Sequence, residues 1–469
     1  MITTQLRKLL WTAISINSIS LSFILGTSAT QAAPDNAINS ANWMEQTASY
    51  IQNKKLNEIL LPASHDSAMF DPVSTYSRPV NDVFAPDLDS GFAKLGSFIG
   101  VAEKWSKTQE RNISEQLNDG IRVLDLRTCV EKNGTLRTCH GLYGPKMVDV
   151  LGEVRRFAYS HPKEILILSF NRFSETAPGE MSKAKHDQLL TLIQSELQSN
   201  LIDHKSITPT STLQEIWSTQ PGKSIVVVYN YPNDMPYGPF WGKDKTVGTW
   251  DGDVWGMTEK KQALSRKLQD AAKPEHQDKL VYFSGEATPD TKLIGLAALP
   301  GYPSSLKDLA DQTNPVMLGW LKDEWANQRL NLISLDFYNK TCLVPVTYVL
   351  NGVPDISLSG CNIGNTTKWA SLTGAKGCPN GFRDDGLYCA KPNPVIYPRA
   401  SFPWKFGDGL NDRGMFKRCE EKYGQGSCKK LGAIVYGQCR AGYTPDGPGL
   451  SCVVLCPSGM TDIGVSCKK

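Results

Sequence analysis

Short apolar runs alternate with helix-like segments from about Leu56 to Tyr348, and no other pattern in the sequence limits the possible folds as strongly. The runs are rich in Ile, Val and Leu with little apolar–polar alternation, which is typical of strands covered on both faces. We predict strands over residues 58–61, 121–126, 165–170, 224–229, 279–283 and 330–337, and helices over 148–158, 182–197, 258–272 and 304–311. This order indicates a parallel α/β fold, either a barrel or an open sheet.

Chemically reactive side chains follow several different predicted strands, and this favours the barrel. They are His65, Asp125 with Arg127, Asn171 with Arg172, and Asp336. A parallel barrel gathers all its strand ends around one mouth, whereas an open sheet concentrates a site at one crevice. Only about six strands are clear, so we expect an irregular barrel within a domain spanning residues 33–354.

Beyond about residue 355 the chain becomes rich in Gly, Pro, Asn and Cys, and nine of its twelve cysteines lie between Cys361 and Cys467. Residues 378–389 and 456–467 are two copies of one repeat, with a looser copy over 439–452. Units this small cannot bury a core by themselves, so residues 355–469 are predicted to form a disulfide-stapled module. Pairing within each repeat is one interpretation, because connectivity does not follow from sequence.

The N-terminus resembles a secretory signal peptide over residues 1–32. Arg7 and Lys8 precede a mostly apolar stretch over residues 9–25, and residues 30–32 offer a cleavage site. An N-terminal membrane anchor is the alternative. The even cysteine count and the absence of any C-x-x-C pair agree with export, so we predict a secreted protein, extracellular or periplasmic. A net charge of +3 without a basic run argues against nucleic acid as a partner.

Two distant histidines each end a strand-like run, His65 in residues 60–67 and His140 in residues 138–141. Arg127 ends the run between them. Two imidazoles can move protons to and from a phosphodiester while a guanidinium holds its charge, so the trio predicts phosphodiester cleavage. The remaining histidines are expected to be solvated, namely His161, His186, His204 and His276.

Residues 113–127, followed by His140-Gly141 and by residues 160–170, resemble the X domain of phosphatidylinositol-specific phospholipases C, most closely the single-domain bacterial type. The resemblance covers about residues 56–337. It implies a distorted TIM-type (β/α) barrel. It also implies a reaction in which an inositol hydroxyl attacks its own phosphate, expels diacylglycerol and leaves a cyclic phosphate.

The resemblance also implies roles for individual residues. His65 would be the general base, and His140 would be the general acid, working with Asp66. Asp336 would hydrogen-bond His65 and fix its tautomer.

Arg127 would bind the phosphoryl oxygens at two points, and Asp125 would orient Arg127 or a histidine. Calcium-dependent members of the family place acidic side chains around a metal near the phosphate. Asp125-Leu126-Arg127 has an arginine there instead, so the resemblance implies no metal and no other cofactor.

Substrate-binding side chains are predicted at Asn171, Arg172, Tyr229 and Asn230. The last two offer no cation where bacterial relatives hold the inositol ring with basic side chains. These residues therefore do not determine the identity of the head group. The expected substrate is a phospholipid or a lipid-anchored glycan at a membrane surface. The aromatic stretch over residues 231–241 is expected either to enter that surface or to cover the barrel.

Two alternatives remain. Barrel phosphodiesterases of the glycerophosphodiester or sphingomyelinase D type need a metal held by several carboxylates, but only Asp66 is close to His65 in sequence. A non-catalytic surface-binding protein would use the barrel as a scaffold. In either case the cysteine-rich module is expected to bind a surface polysaccharide, a membrane or a protein. Cys129 and Cys139 flank the turn signal Asn133-Gly134 and are expected to form a disulfide that rigidifies the His140 segment.

Overall fold

The computed structural model describes most of the chain after residue 37. The described residues are 38–72, 82–88, 99–231, 240–248, 255–297, 302–364, 378, 382–384, 388–392, 394–408, 411–440, 442–456 and 460–468. The predicted signal peptide lies outside them, as do residues 232–239 of the aromatic stretch. None of the helices in these ranges is long and apolar enough to cross a bilayer.

Seven parallel strands among the described residues form the centre of the fold. They are β1 (Leu61–Ser64), β2 (Val123–Val130), β5 (Leu166–Ser174), β6 (Ile225–Tyr229), β7 (Thr246–Val247), β8 (Leu280–Ser284) and β9 (Leu332–Leu335). Their spatial order is β6-β5-β2-β1-β9-β8-β7. Trp241 bridges back to Val228 in β6, and the same segment continues into β7 at Thr246. The two edges of the sheet therefore approach each other, and the sheet closes into the predicted distorted barrel.

Helices follow most strands. Within the described residues they are α1 (Trp43–Gln46), α2 (Ala48–Ile51), α3 (Ile99–Ser106), α4 (Ile113–Asn118), α5 (Met147–Ser160), α6 (Lys183–Leu197), α7 (Leu213–Thr219), α8 (Met257–Ala271), α9 (Thr291–Leu296), α10 (Leu306–Gly319), α11 (Leu343–Leu350) and α12 (Arg413–Tyr423). The Asn112 side chain begins α4 in a capping box with Glu115, which satisfies two backbone donors at the helix start.

The first strand lies three residues later than predicted. Asn351 accepts the backbone N–H of Leu60, and Asn331 donates to the carbonyls of Leu56 and Ile59. Side chains therefore satisfy backbone groups that a strand over residues 58–61 would have paired with a neighbour. As a result β1 ends at Ser64, directly before His65.

A buried ion pair closes the lower part of the barrel. The guanidinium of Arg122 donates to Glu164 and to the carbonyls of Ser40 and Ala41 in the N-terminal segment. Arg122 and Glu164 are buried. These hydrogen bonds tie the start of the fold to β2 and to the turn before β5.

An antiparallel hairpin extends the barrel beside β2. It consists of β3 (Leu136–His140) and β4 (Leu142–Lys146). The predicted Cys129–Cys139 disulfide is confirmed and joins β2 to β3 one residue before His140. Phe240 and Trp241, at the end of the aromatic stretch, are buried, so these two side chains pack in the barrel and do not reach a lipid surface.

The cysteine-rich region is held by short sheets and five of the six disulfides. The pairing within each repeat is confirmed by the bonds Cys378–Cys389, Cys439–Cys452 and Cys456–Cys467, and the others are Cys342–Cys361 and Cys419–Cys428. Strands β10 (Arg383–Asp384) and β11 (Tyr388–Ala390) of the first repeat join β18 (Thr461–Asp462) and β19 (Ser466–Lys468) of the last in one four-stranded sheet. The remaining strands are β12 (Ile396–Pro398), β13 (Ser401–Phe402), β14 (Lys429–Leu431), β15 (Ile434–Tyr436), β16 (Thr444–Pro445) and β17 (Ser451–Val453). Tyr302 hydrogen-bonds Ser466, so the last repeat contacts the barrel.

Candidate active site

Side chains from three strand ends and from within β2 meet at the mouth of the barrel. His65 and Asp66 follow β1, Asp125 and Arg127 lie in β2, His140 ends β3, and Asp336 follows β9. All six were predicted from the sequence to belong to the site. The parallel pairing of β1 with β2 and β9 brings these ends together.

His65 is held on its Nδ1 side by Asp336. Asp336 Oδ1 lies 2.8 Å from His65 Nδ1, and both side chains are buried. Backbone pairing sets this contact, because the His65 N–H donates to the Leu335 carbonyl and the Gln109 amide donates to the carbonyls of both His65 and Leu335. Nδ1–H therefore donates to Asp336, and Nε2 faces the mouth.

Arg127 lies against that second nitrogen. Its Nη2 is 3.0 Å from His65 Nε2, and its Nε contacts Asp66 Oδ1. One guanidinium thus spans the first histidine and the neighbouring carboxylate. The sequence analysis expects Asp125 to orient Arg127 or a histidine. The carboxylate placed against Arg127 Nε is that of Asp66, and Asp125 Oδ2 lies 3.9 Å from His65 Nε2.

Asp66 lies between the two histidines. Its Oδ2 is 3.6 Å from His65 Nε2 and 3.6 Å from His140 Nε2. The residue has φ +40°, a left-handed conformation that costs a non-glycine residue energy and often marks a functional site. Asp125 Oδ2 accepts its backbone N–H at 2.9 Å, which holds the strained turn in place.

The last residue of α3 fixes the orientation of the His140 ring. Its Nδ1 lies 3.1 Å from the carbonyl of Ser106, so Nδ1–H donates there and Nε2 points toward Asp66. The rings of His65 and His140 are 6.3 Å apart and nearly perpendicular. Part of the His140 side chain is exposed, whereas His65 is buried, so His140 is the more accessible of the pair.

The surrounding charges separate the proton affinities of these groups. Burial lowers the pKa of His65, but the carboxylates of Glu286, Asp66 and Asp336 outweigh burial and raise it to about 10. Burial raises the pKa of Asp66 to about 7, against the opposing effect of Arg127. Burial and the cations Arg127 and His65 lower the pKa of His140. The site therefore holds one group with a high proton affinity, His65, beside Asp66 and His140, which bind a proton less strongly.

Glu286 belongs to this cluster and was missed in the sequence analysis. Its Oε1 lies 3.9 Å from His65 Nε2, and its Oε2 accepts a hydrogen bond of 2.7 Å from Ser334 in β9. A Cβ on the preceding Gly285 would lie 2.7 Å from the Ser334 carbonyl, so only glycine lets the chain pass this close to β9. The sequence could have identified Glu286 by its position, because this residue follows β8 just as Asp336 follows β9.

The four predicted substrate-binding residues separate into two groups. The Asn171 amide contacts Asp125 Oδ1, Arg172 is exposed beside Arg127 in the strand register, and Asn230 is buried at the end of β6. Tyr229 faces another way, because its hydroxyl lies 2.7 Å from His186 Nδ1 in α6.

Packing against α6 explains the placement of Tyr229, and we leave it out of the proposed site. The same contact corrects the expectation for His186. This residue is fully buried, and its ring packs on Phe173, so it is not solvated.

Two groups of side chains in the described part of the chain have the spacing of a metal site. In the first, Asp87 with Cys129 and Cys139, the two sulfur atoms are joined in a disulfide and do not bind a metal. In the second, ligand atoms of His65, Asp66 and Asp125 all lie within 4.8 Å of one another. The Arg127 guanidinium already contacts the first two of these residues, and a divalent cation there would meet a fixed positive charge. The residues present therefore do not fit a resident metal.

Comparisons with known proteins agree on one family. Residues 93–232 match the family model PI-PLC X. PI-PLC X domain-containing protein 2 of Mus musculus is 27% identical over 331 residues, which cover 68% of this chain and 91% of that protein. Its Homo sapiens counterpart is 30% identical over 216 residues, 45% of this chain and 66% of that protein.

Among solved structures, phosphatidylinositol-specific phospholipase C of S. aureus aligns with a TM-score of 0.44 and 17% identity, over 67% of this chain and 97% of that one. The matched residues include Arg127 and His140 and begin after His65. Residues 93–232 therefore match a PI-PLC X domain, and the chain is similar to proteins that contain one.

Proposed function

We propose that this protein is a phosphodiesterase of the phosphatidylinositol phospholipase C type, which cleaves a phospholipid head group through a cyclic phosphate. The observation that carries the proposal is the position of Asp66, 3.6 Å from a nitrogen of each of two histidines, with Arg127 in contact. This arrangement places two proton-transfer groups and one anion-binding group around a single carboxylate.

In the first half of the reaction, His65 Nε2 takes the proton of a head-group hydroxyl. The hydroxyl oxygen then attacks the neighbouring phosphorus and forms a new P–O bond. Asp336 on Nδ1 stabilises the imidazolium that results. General-base catalysis of this kind contributes about 10²–10⁴-fold.

In the second half, the bond between phosphorus and the lipid oxygen breaks, and that oxygen takes a proton from His140. Asp66 supports the transfer, because its pKa of about 7 lets it hold a proton near neutral pH and pass it to the adjacent His140 Nε2. Arg127 binds the phosphoryl oxygens, which carry more charge in the transition state. The products are diacylglycerol and a cyclic phosphate.

The head-group region favours a neutral, hydroxyl-rich group. Asn171 and Asn230 offer amides near the mouth, and Arg172 offers one exposed cation. Amides hydrogen-bond sugar-like hydroxyls without requiring charge. Inositol, alone or within a glycan, fits this chemistry. Six disulfides indicate that the protein works in an oxidising compartment outside the cytoplasm.

The test is to incubate the full chain with micelles of individual phospholipids and to follow the products by phosphorus NMR. A cyclic inositol phosphate is expected from phosphatidylinositol. His65→Ala and His140→Ala should each abolish it, while His161→Ala, a histidine at the end of α5, should leave turnover unchanged. Choline release, or turnover that survives both variants, would contradict the proposal.

A further inference from the structure

The cysteine-rich module contains a turn whose aromatic side chains point into solvent. Phe406 is 99% exposed and Trp404 is 51% exposed. Both lie in residues 403–408, which we call the aromatic turn. Burying a side chain of this size would stabilise the protein, so a fully exposed Phe beside a half-exposed Trp indicates a surface that another apolar phase covers.

Hydrogen bonds fix the conformation of the aromatic turn. Asp408 accepts the backbone N–H of Lys405 at 2.8 Å and contacts the guanidinium of Arg418 in α12. The same guanidinium donates to the Pro403 carbonyl at 2.8 Å. These bonds hold both ends of the turn, so presenting Trp404 and Phe406 costs little ordering entropy when they are buried by a partner.

A small core anchors the turn. Phe402 in β13, directly before the turn, packs with Met415, Cys419 and Val435, and the Cys419–Cys428 disulfide links α12 to the segment before β14. Residues 399–437, which we call the basic subdomain, therefore form a platform for the aromatic turn.

The charge of the basic subdomain indicates what kind of surface the aromatic turn binds. It contains eight basic and four acidic residues, a net charge of +4, whereas the whole chain carries +3. The basic residues are Arg399, Lys405, Arg413, Lys417, Arg418, Lys422, Lys429 and Lys430. Arg399 is buried and donates to two carbonyls, so the other seven basic residues are the ones that the basic subdomain can present to a partner. A basic surface that carries Trp and Phe matches an anionic lipid interface, which attracts cations and accepts aromatic rings at head-group depth.

We propose that the aromatic turn inserts into an anionic phospholipid surface, with Trp404 and Phe406 in the interfacial layer and the basic subdomain against the head groups. The barrel then works beside the bilayer to which the module is attached. This inference concerns attachment and does not depend on turnover.

The experiment measures sedimentation of the full chain with phosphatidylcholine vesicles that contain phosphatidylglycerol, and with phosphatidylcholine alone. Because these vesicles contain no inositol lipid, the result is independent of the proposed catalytic function. The wild-type chain should bind the anionic vesicles, and binding should weaken in high salt. Phe406→Ala should reduce the partition coefficient about tenfold or more, and adding Trp404→Ala should reduce it further.

The matched control is Tyr159→Ala, which removes an 82% exposed aromatic from α5 of the barrel. It should bind vesicles as the wild-type chain does. Equal melting temperatures would show that all variants are folded. Vesicle binding that is unchanged in the Trp404→Ala, Phe406→Ala variant, or reduced as strongly by Tyr159→Ala, would overturn the proposal. So would the absence of wild-type binding, or selective retention on an insoluble polysaccharide in place of vesicles.

Discussion

Arg127 Nη2 lies 3.0 Å from His65 Nε2, so in the free site the guanidinium covers the nitrogen that must accept a proton. A bound phosphodiester would offer Arg127 two oxygens in its place, and Nε2 would then be available to the attacking hydroxyl. Phosphate binding and activation of the base are thereby coupled through one side chain.

Arg127→Lys should lower kcat/KM by about 10²–10³-fold although the charge is kept. An ammonium cannot contact the phosphoryl oxygens and Asp66 in the planar geometry that the guanidinium provides, and one donor aimed at developing charge is worth about 3–4 kcal/mol. Steady-state kinetics on phosphatidylinositol micelles measure the loss. Arg155→Lys, at an exposed pair with Glu196, is the control. Equal activity in both variants would remove Arg127 from the mechanism.

The pH dependence of kcat/KM should show two limbs. Turnover needs His65 without its proton and Asp66 with its proton. The pKa of His65 is raised to about 10 and that of Asp66 to about 7. Below about pH 7 the rate should rise with pH, because the deprotonated fraction of His65 grows while Asp66 keeps its proton. Between about 7 and 10 that gain is offset by the loss of the Asp66 proton, so the rate should remain level, and above about 10 it should fall. These limbs belong to the coupled pair and not to one residue. A rate that falls steadily from pH 6 to 9 would contradict this assignment.

Glu286→Gln should move the upper limb of that profile to lower pH. The Glu286 carboxylate stabilises the protonated His65, so its removal lowers the pKa of His65. The glutamine keeps the hydrogen bond to Ser334, which separates the charge effect from a packing effect. Glu58→Gln, at an exposed pair with Lys55, should leave the profile unchanged. An upper limb at the same pH in both variants would show that Glu286 does not act on His65.

A chelator should leave turnover unchanged. His65 and Asp66 already contact Arg127, whose guanidinium can neutralise the phosphate without a metal. Turnover measured with EDTA, and again after adding calcium, should agree within error. A loss that calcium restores would place a metal in the site.

Replacing Cys129 and Cys139 by Ser should lower both stability and turnover. The disulfide closes a short loop, and the chain-entropy model gives about 3 kcal/mol for a loop of this size. Because Cys139 precedes His140, the looser hairpin should also misplace the general acid. Urea unfolding and kinetics measure the two effects. Removing Cys419–Cys428 from the module should leave hydrolysis of a water-soluble substrate unchanged.

Much of the fold followed from local patterns. Six of the seven parallel strands lie at or near their predicted places, because buried parallel strands are runs of Ile, Val and Leu. The missing one is β7, only two residues long at Thr246–Val247, too short to give a periodic signal. The start of β1 was misplaced because the side chains of Asn331 and Asn351, far along the chain, satisfy the backbone before it.

The sequence by itself determined the reactive side chains and the family motif, because each depends on residues close together in the chain. It left the cysteine pairing within each repeat as one interpretation, which the disulfides of the structure then confirmed. Only the tertiary structure decided that Asp66 holds Arg127, that Glu286 reaches His65, and that Tyr229 turns away toward His186. Those contacts depend on the register between strands and on which face of a strand meets the cavity. Register is set by pairing across the whole sheet, so residues distant in sequence decide where a side chain points.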